Sequence, residues 1–151
     1  MCSSDLEAMV DGAALLMSAF YGVHAMGMWP GGRGENLLDG GAPFYGVYET
    51  SDGKYVAVGC IEPKFWADLM TRLGLADEGL PAPMNPATWP VLRARLSEVF
   101  AQRTRDEWTE LLEGTDTCFA PVLSMAEAPE HPHLSAREVF VQVGEMMQPA
   151  P

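Results

Sequence analysis

Apolar residues recur at helical spacing near the start of the chain. Between residues 6 and 26 one face carries positions three or four apart, which predicts an amphipathic helix; these positions are Leu6, Met9, Val10, Ala13, Met17, Phe20, Tyr21 and His24. The other face, with Ala14, Leu15 and Ala19, is apolar too. We therefore expect this helix to be buried on both sides or to meet a large partner surface. Ser4 followed by Glu7 has the form of a capping box at its start.

Glycine then interrupts the pattern. Residues 27–43 contain six glycines and two prolines, which exclude a regular element. A loop so rich in glycine lets the backbone approach a neighbour or a ligand closely. A plain connector is the alternative interpretation, although connectors of this length are uncommon inside compact domains.

Alternating and aromatic residues at 44–50 and 55–60 predict two strands, and Asp52-Gly53 between them is typical of a hairpin turn. Helices are predicted at about 63–73 and 89–102 and from Thr104 to Gly114, where Thr104 and Glu107 form a capping box. A short strand at 118–123, a turn capped by Ser124, a helical turn at 134–139 and a last strand at 140–143 follow. Residues 146–151 carry no structural pattern.

The order of these elements predicts an α+β fold with a long N-terminal helix, a β-hairpin, a three-helix segment and short strands. We divide the chain into a linker helix at 1–28, a small α+β domain at 29–145 and a tail at 146–151. A mostly apolar helix with no element before it is typical of a fragment, so we interpret the linker helix as N-terminally truncated.

Charge narrows the possible partners. The formal net charge is -12, from nine basic and twenty-one acidic residues. A nucleic-acid-binding surface needs clustered Lys and Arg, and an anionic membrane surface attracts the same residues. The apolar stretch at 6–28 includes Glu7, Asp11 and His24, which excludes a spanning helix. We therefore expect neither nucleic acid nor a membrane as a partner.

The three cysteines are Cys2, Cys60 and Cys118. They form no CxxC pair and lack metal-ligand spacing, so we expect no metal site. An odd, scattered set is typical of a reducing compartment and predicts a cytoplasmic protein.

Four blocks of the sequence resemble one known family. Residues 33–45, RGENLLDGGAPFY, closely resemble the RGxNxLDGGAPFY signature of α-methylacyl-CoA racemases, which belong to the family III CoA-transferase superfamily. Further matches lie at 8–12, at 52–63 and at 115–127, in the same order and spacing. The resemblance extends from about Leu6 to the end, and it implies the small-domain fold of these enzymes.

The resemblance implies a reaction at one carbon. Such enzymes invert the α-carbon of 2-methylacyl-CoA thioesters by 1,1-proton transfer, in which a base removes the α-proton and an acid returns it to the opposite face. This needs two groups with tuned protonation and donors for the developing oxyanion. No cofactor is implied, because CoA is part of the substrate.

The proton-transfer pair of the family is a His in a GHD-type motif and an Asp in a DFGGG-type motif, both upstream of the opening helix. Neither motif occurs in this sequence, and its histidines, His24, His131 and His133, lie in other contexts. We therefore assign no proton-transfer role to any residue here and expect the isolated chain to be inactive.

Supporting roles remain. Glu62 matches a family glutamate close to the catalytic His, which it would orient or stabilise by charge; the alternative is a solvent-facing carboxylate at a helix start. Met9 and Met28 match a methionine-rich surface over which the acyl tail moves. Met17 lies in the same region, and ordinary helix core is its alternative.

The resemblance also implies an acyl-pocket wall, formed by Asp39, Gly40, Gly41, Ala42, Pro43, Phe44 and Tyr45. A tight turn leading into a strand is the alternative for the whole set. In the family, the active site lies between the two subunits of an interlocked homodimer, and the missing large domain holds most of the CoA. The scarcity of basic residues here agrees with that division.

Two other functions stay open. One is a fragment of a CoA-transferase, whose catalytic Asp forms a covalent acyl intermediate. The other is a non-catalytic dimerisation or regulatory module. The LDGGAPFY block favours the racemase branch. We also expect the apolar surface at 6–28 to cause self-association.

Overall fold

The computed structural model describes residues 8–29 and 31–151. The predicted N-terminal helix appears as two helices, α1 (Met9–Leu16) and α2 (Ser18–Ala25). They are separated at Met17, whose N–H donates to the carbonyl of Ala14 at 3.2 Å, and the Ser18 hydroxyl donates to the Leu15 carbonyl at 2.7 Å. A serine that takes a backbone carbonyl competes with the helical ladder, which explains the break. The predicted capping box at Ser4 lies outside the described residues.

A three-stranded antiparallel sheet forms the centre of the fold, in the order β1 (Tyr45–Glu49), β2 (Tyr55–Gly59) and β3 (Phe119–Val122). The predicted hairpin is confirmed, with Tyr45 opposite Gly59 and Glu49 opposite Tyr55. Gly53 has φ +71 in the connecting turn, a conformation that favours glycine.

Three helices cover the inner face of the sheet: α3 (Pro63–Arg72), α4 (Trp89–Phe100) and α5 (Arg105–Leu112). Their positions agree with the prediction within about two residues, the usual scatter of helix ends. Thr104 and Glu107 make both bonds of the predicted capping box at the start of α5. Pro63 opens α3, where its missing N–H costs nothing.

The core lies between this sheet and these helices. Tyr48 stacks on Phe100 with ring centroids 5.0 Å apart, and Phe100 meets Trp108 edge to face at 5.3 Å. Such aromatic pairs add about 0.5–1.5 kcal/mol beyond the apolar area they bury. The indole of Trp108 also donates to the Phe100 carbonyl at 2.9 Å, so its polar atom is satisfied. The core therefore holds the sheet firmly under its exposed outer face.

The C-terminal part contains α6 (Pro132–Ala136) and a separate antiparallel pair, β4 (Phe140–Val143) and β5 (Met146–Pro149). The strand predicted at 140–143 is confirmed, and α6 begins two residues before the predicted helical turn. The prediction that 146–151 lacks regular structure is wrong, because β5 occupies most of it. Gly144, at φ +62, permits the tight turn that pairs β5 with β4.

These elements confirm the α+β class, while the division into linker helix, small domain and tail stays a prediction. Among residues 8–29 and 31–151, no helix has the length and apolar character needed to cross a bilayer.

Candidate functional site

Hydrogen bonds between Asn36 and Asp39 hold the glycine-rich loop in place. The Asp39 carboxylate accepts from the Asn36 N–H at 2.7 Å, from the Asn36 side-chain amide at 2.7 Å and from the Gly34 N–H at 3.1 Å. These bonds, led by the one from the Asn36 side chain, hold the pKa of Asp39 below its usual range. Asp39 is therefore ionised at neutral pH, and its oxygens are occupied in shaping the loop.

At Gly41 the backbone of the same loop passes close to the backbone of Glu35 and Asn36. A Cβ at this position would lie 2.5 Å from the Glu35 carbonyl carbon and 2.7 Å from the Asn36 nitrogen and oxygen. Its neighbour Gly40 has φ +106, which also favours glycine. The two glycines of the LDGGAP block are thus required by the fold of the loop itself.

Arg93 on α4 ties this loop to the body of the protein. Its Nη2 donates to the carbonyls of Gly40 at 2.6 Å, Gly41 at 3.2 Å and Ala42 at 3.0 Å. The sequence prediction did not include Arg93. It lies more than 50 positions from its partners, and no local pattern joins them.

Two cavities meet at Leu38, which lines both. The first, of about 660 Å³, lies between the loop and the outer face of the sheet, and its wall includes Leu38, Gly40, Tyr45, Val47, Ala57 and Cys118. The second, of about 420 Å³, lies between the loop and α2, and its wall includes Met17, Phe20, Tyr21, His24, Trp29, Leu38 and Asp39. Both walls are mainly apolar, which is typical of sites that hold an apolar ligand group.

Aromatic contacts position α2 against the second cavity. Phe20 meets Trp29 edge to face, with ring centroids 5.3 Å apart. The Nδ1 of His24 lies 3.3 Å from the Trp29 carbonyl. Neither aromatic residue was among the predicted site residues, although the periodicity placed Phe20 on the apolar face of the helix.

The predicted acyl wall divides into three groups. Asp39, Gly40 and Tyr45 line the two cavities, and Gly41 is half-buried and lines neither of them. Ala42, Pro43 and Phe44 are buried in the core. Phe44 packs edge to face on Trp66 and Trp89, at 6.2 Å in each case. The three buried residues lie where a turn leads into a strand, as the alternative interpretation expects. Contact of any of these residues with a substrate stays a prediction.

The methionines are dispersed. Met9 on α1 is 91% exposed and Met28, beyond α2, is 64% exposed, and neither lines the two cavities. Met17, at the break between α1 and α2, does line the second cavity. A methionine-rich substrate surface would therefore have to be completed by a contact outside the described residues.

Glu62 is exposed at the N-cap of α3, and among the described residues its carboxylate makes no capping hydrogen bond. Burial and, after it, the negative charge of Glu62 raise the pKa of the Cys118 thiol. Cys118 lines the first cavity, whereas Glu62 is not among the residues of its wall. An exposed carboxylate at the start of α3 fits a supporting catalytic role and also a solvent-facing helix start.

Comparison with known proteins identifies similar sequences. The chain is 46% identical over 148 residues to "Alpha-methylacyl-CoA racemase" of Mus musculus, which covers 96% of this chain and 39% of that protein. It is 42% identical over 133 residues to the protein of the same name from Homo sapiens, covering 88% of this chain and 35% of that protein. The chain thus spans well under half of the length of either relative.

Solved structures support the fold. The hypothetical protein Rv3272 of Mycobacterium tuberculosis matches with a TM-score of 0.68 at 18% identity, covering 96% of this chain and 38% of that one. Its orthorhombic crystal form matches with a TM-score of 0.66 at 20% identity. The family model described as "CoA-transferase family III" matches residues 5–150. The chain therefore belongs to CoA-transferase family III.

Proposed function

We propose that this chain is part of an acyl-CoA racemase that inverts the α-carbon of 2-methylacyl-CoA thioesters by 1,1-proton transfer. The observation that carries the proposal is the 46% identity to the mouse racemase over 96% of the chain. The chain spans 39% of that relative, and its sequence contains neither the GHD-type nor the DFGGG-type motif. The proton-transfer His and Asp are accordingly supplied by polypeptide other than these 151 residues, and the isolated chain is inactive.

In this proposal the two cavities that meet at Leu38 hold the acyl part of the substrate. Inversion moves the groups on the α-carbon relative to the fixed base and acid, so the apolar tail needs room in two directions. The walls on either side of Leu38 are mainly apolar and offer that room to an apolar tail. The predicted wall residues that line these cavities are Asp39, Gly40 and Tyr45, and their position supports contact with the acyl tail.

The same proposal includes the assembly and the compartment. The partner is a second copy in an interlocked homodimer, supported by the exposed apolar residues of α1 and α2. The substrate is an acyl-CoA thioester, and no separate cofactor is needed. A cytoplasmic location is supported by the free thiols of Cys60 and Cys118.

A chimera tests the function. The matched region of the mouse racemase is replaced by this chain, and deuterium uptake at the α-carbon of 2-methylacyl-CoA is measured in D2O together with inversion by chiral chromatography. We expect exchange and inversion by the chimera and none by the isolated chain. Exchange by the isolated chain would contradict the proposal. Transfer of CoA to a free carboxylic acid without α-proton exchange would instead identify a CoA-transferase, and absence of both reactions would favour a non-catalytic module.

Glu62 is tested in the same chimera. A carboxylate beside an imidazole raises the pKa of the imidazole, so Glu62→Gln should move the acidic limb of the pH profile to lower pH. We expect kcat/KM to fall on the order of 10- to 100-fold, as for other residues that orient a functional side chain. Glu110→Gln, an exposed carboxylate on α5, is the matched control. An unchanged pH profile for Glu62→Gln would establish the solvent-facing interpretation.

A further inference from the structure

We propose that Arg93 is a positioning residue that holds the loop at 38–45 in its substrate-facing conformation. This inference rests on the proposed function and adds a residue from α4 to the site. Arg93 is half-buried, and its Nη2 reaches three successive carbonyls, those of Gly40, Gly41 and Ala42. The two N–H groups of Nη2 are thus shared among three oxygens. The guanidinium plane fixes the direction of these N–H groups, whereas a lysine ammonium would act as a point charge.

The loop depends on a donor from outside. Among residues 8–29 and 31–151, the Gly40 and Gly41 carbonyls accept from no backbone N–H. Gly40 is exposed, but Gly41 is half-buried, and an unpaired backbone carbonyl that is partly buried destabilises a fold. Arg93 is the side chain that satisfies both.

Tyr48 supplies a donor to the next carbonyl of the loop. The hydroxyl of Tyr48 donates to the carbonyl of Pro43, the next residue after the three that Arg93 holds. Arg93 itself lies over the Tyr48 ring, with 5.6 Å from its Cζ to the ring centroid. Four consecutive carbonyls, 40 to 43, are thereby held by one side chain from α4 and one from β1.

The local sequence leaves space for this arrangement. A Cβ on Gly46 would lie 3.3 Å from both Nη1 and Nη2 of Arg93, closer than most Cβ contacts. The absence of a side chain at Gly46 thus leaves room for the guanidinium beside β1.

The position of Arg93 links the loop to the cavities. The residues it holds lie between Leu38, which lines both cavities, and Tyr45, which lines the first. Among the described residues that line the first cavity, Arg93 is the one with a cationic side chain. Release of the loop would misplace the acyl wall while leaving the proton-transfer pair intact. Misplacement of a bound substrate by about 1 Å can cost on the order of 100-fold in rate.

The test compares Arg93→Ala, Arg93→Lys and Arg95→Ala. Arg95 is the matched control, because it lies on the same helix and pairs with Glu78 at 2.6 Å and Glu98 at 3.2 Å, away from the loop. Amide hydrogen exchange of the isolated chain is followed for the peptides covering 37–45 and 55–59. In the chimera, kcat and KM are measured with and without added guanidinium.

For Arg93→Ala we expect at least tenfold faster exchange at 37–45 and unchanged exchange at 55–59. Arg93→Lys should be intermediate and Arg95→Ala unchanged. In the chimera, kcat/KM of Arg93→Ala should fall about 100-fold and be partly restored by guanidinium.

Equal acceleration of exchange at both peptides would mean that Arg93 stabilises the whole fold. Unchanged exchange at 37–45 would mean that Arg93 does not hold the loop. Either result overturns the proposal. An inactive parent chimera would refute the proposed function, and loop exchange would still decide the role of Arg93.

Discussion

Gly41 and Gly22 are both glycines, but their surroundings differ. A Cβ on Gly41 would meet the backbone of Glu35 and Asn36, whereas one on Gly22 in α2 would meet nothing within 4 Å. Backbone atoms cannot move aside as a flexible side chain can. We expect Gly41→Ala to lower the free energy of unfolding by about 1–3 kcal/mol, and Gly22→Ala not to lower it. Urea unfolding measures both, and a Gly41→Ala variant as stable as the parent would contradict the loop packing described above.

Single residues also show the limit of sequence prediction. The LDGGAPFY block includes Asp39 and Tyr45, which line cavities, and also Phe44, which faces the core. Similarity to a family motif does not show which of its side chains point outward. Arg93 could not be found at all, because its role depends on contacts across more than 50 positions.

Between elements, an ion pair joins α5 to the segment after β3. The Glu127 carboxylate accepts from the Arg105 guanidinium at 2.7 and 3.0 Å and from the Ser124 N–H at 2.9 Å. Arg105 also donates to the Val122 carbonyl at the end of β3, at 2.9 Å. These bonds, led by the one from Arg105, hold the pKa of Glu127 well below its usual range.

A lowered pKa in the folded state makes this pair a source of pH-dependent stability. Its contribution is present above about pH 4.3, the pKa of a glutamate in an unfolded chain, and is lost as the pH falls toward the folded value. We expect Glu127→Gln to melt at a lower temperature than the parent at pH 7, with a gap that narrows below about pH 4. Thermal unfolding of parent, Glu127→Gln and the control Glu110→Gln measures this. A gap of equal size at pH 7 and pH 3 would show that charge is not the cause.

The elements differ in how far local sequence determines them. The start of α5 was predicted correctly because its capping box is complete within four residues, Thr104 to Glu107. The break at Met17 was missed because the apolar period continues across it, and the break shows only in the hydrogen bonds of Met17 and Ser18. Strand β5 was missed because its register with β4 depends on the turn at Gly144 rather than on alternating burial.

For the molecule as a whole, apolar surface is unevenly distributed. The sheet and α3 to α5 enclose the core, whereas α1 and α2 contribute no buried residue. Leu15 is 74% exposed and Leu16 is 82% exposed. Large exposed apolar patches are typical of protein–protein interfaces. In the proposed homodimer, α1 and α2 would form an arm that packs on the partner subunit.

The proposed homodimer predicts self-association of the chain through this arm. We expect the parent to form dimers or larger species in sedimentation velocity at micromolar concentration, because pairing of two arms removes their apolar side chains from water. Leu15→Glu combined with Leu16→Glu should weaken association at least tenfold, or about 1.4 kcal/mol. The matched control, Met84→Glu with Val91→Glu, adds the same charge at exposed apolar positions outside the arm and should associate like the parent. A monomeric parent, or equal weakening by both double variants, would show that α1 and α2 are not the contact surface.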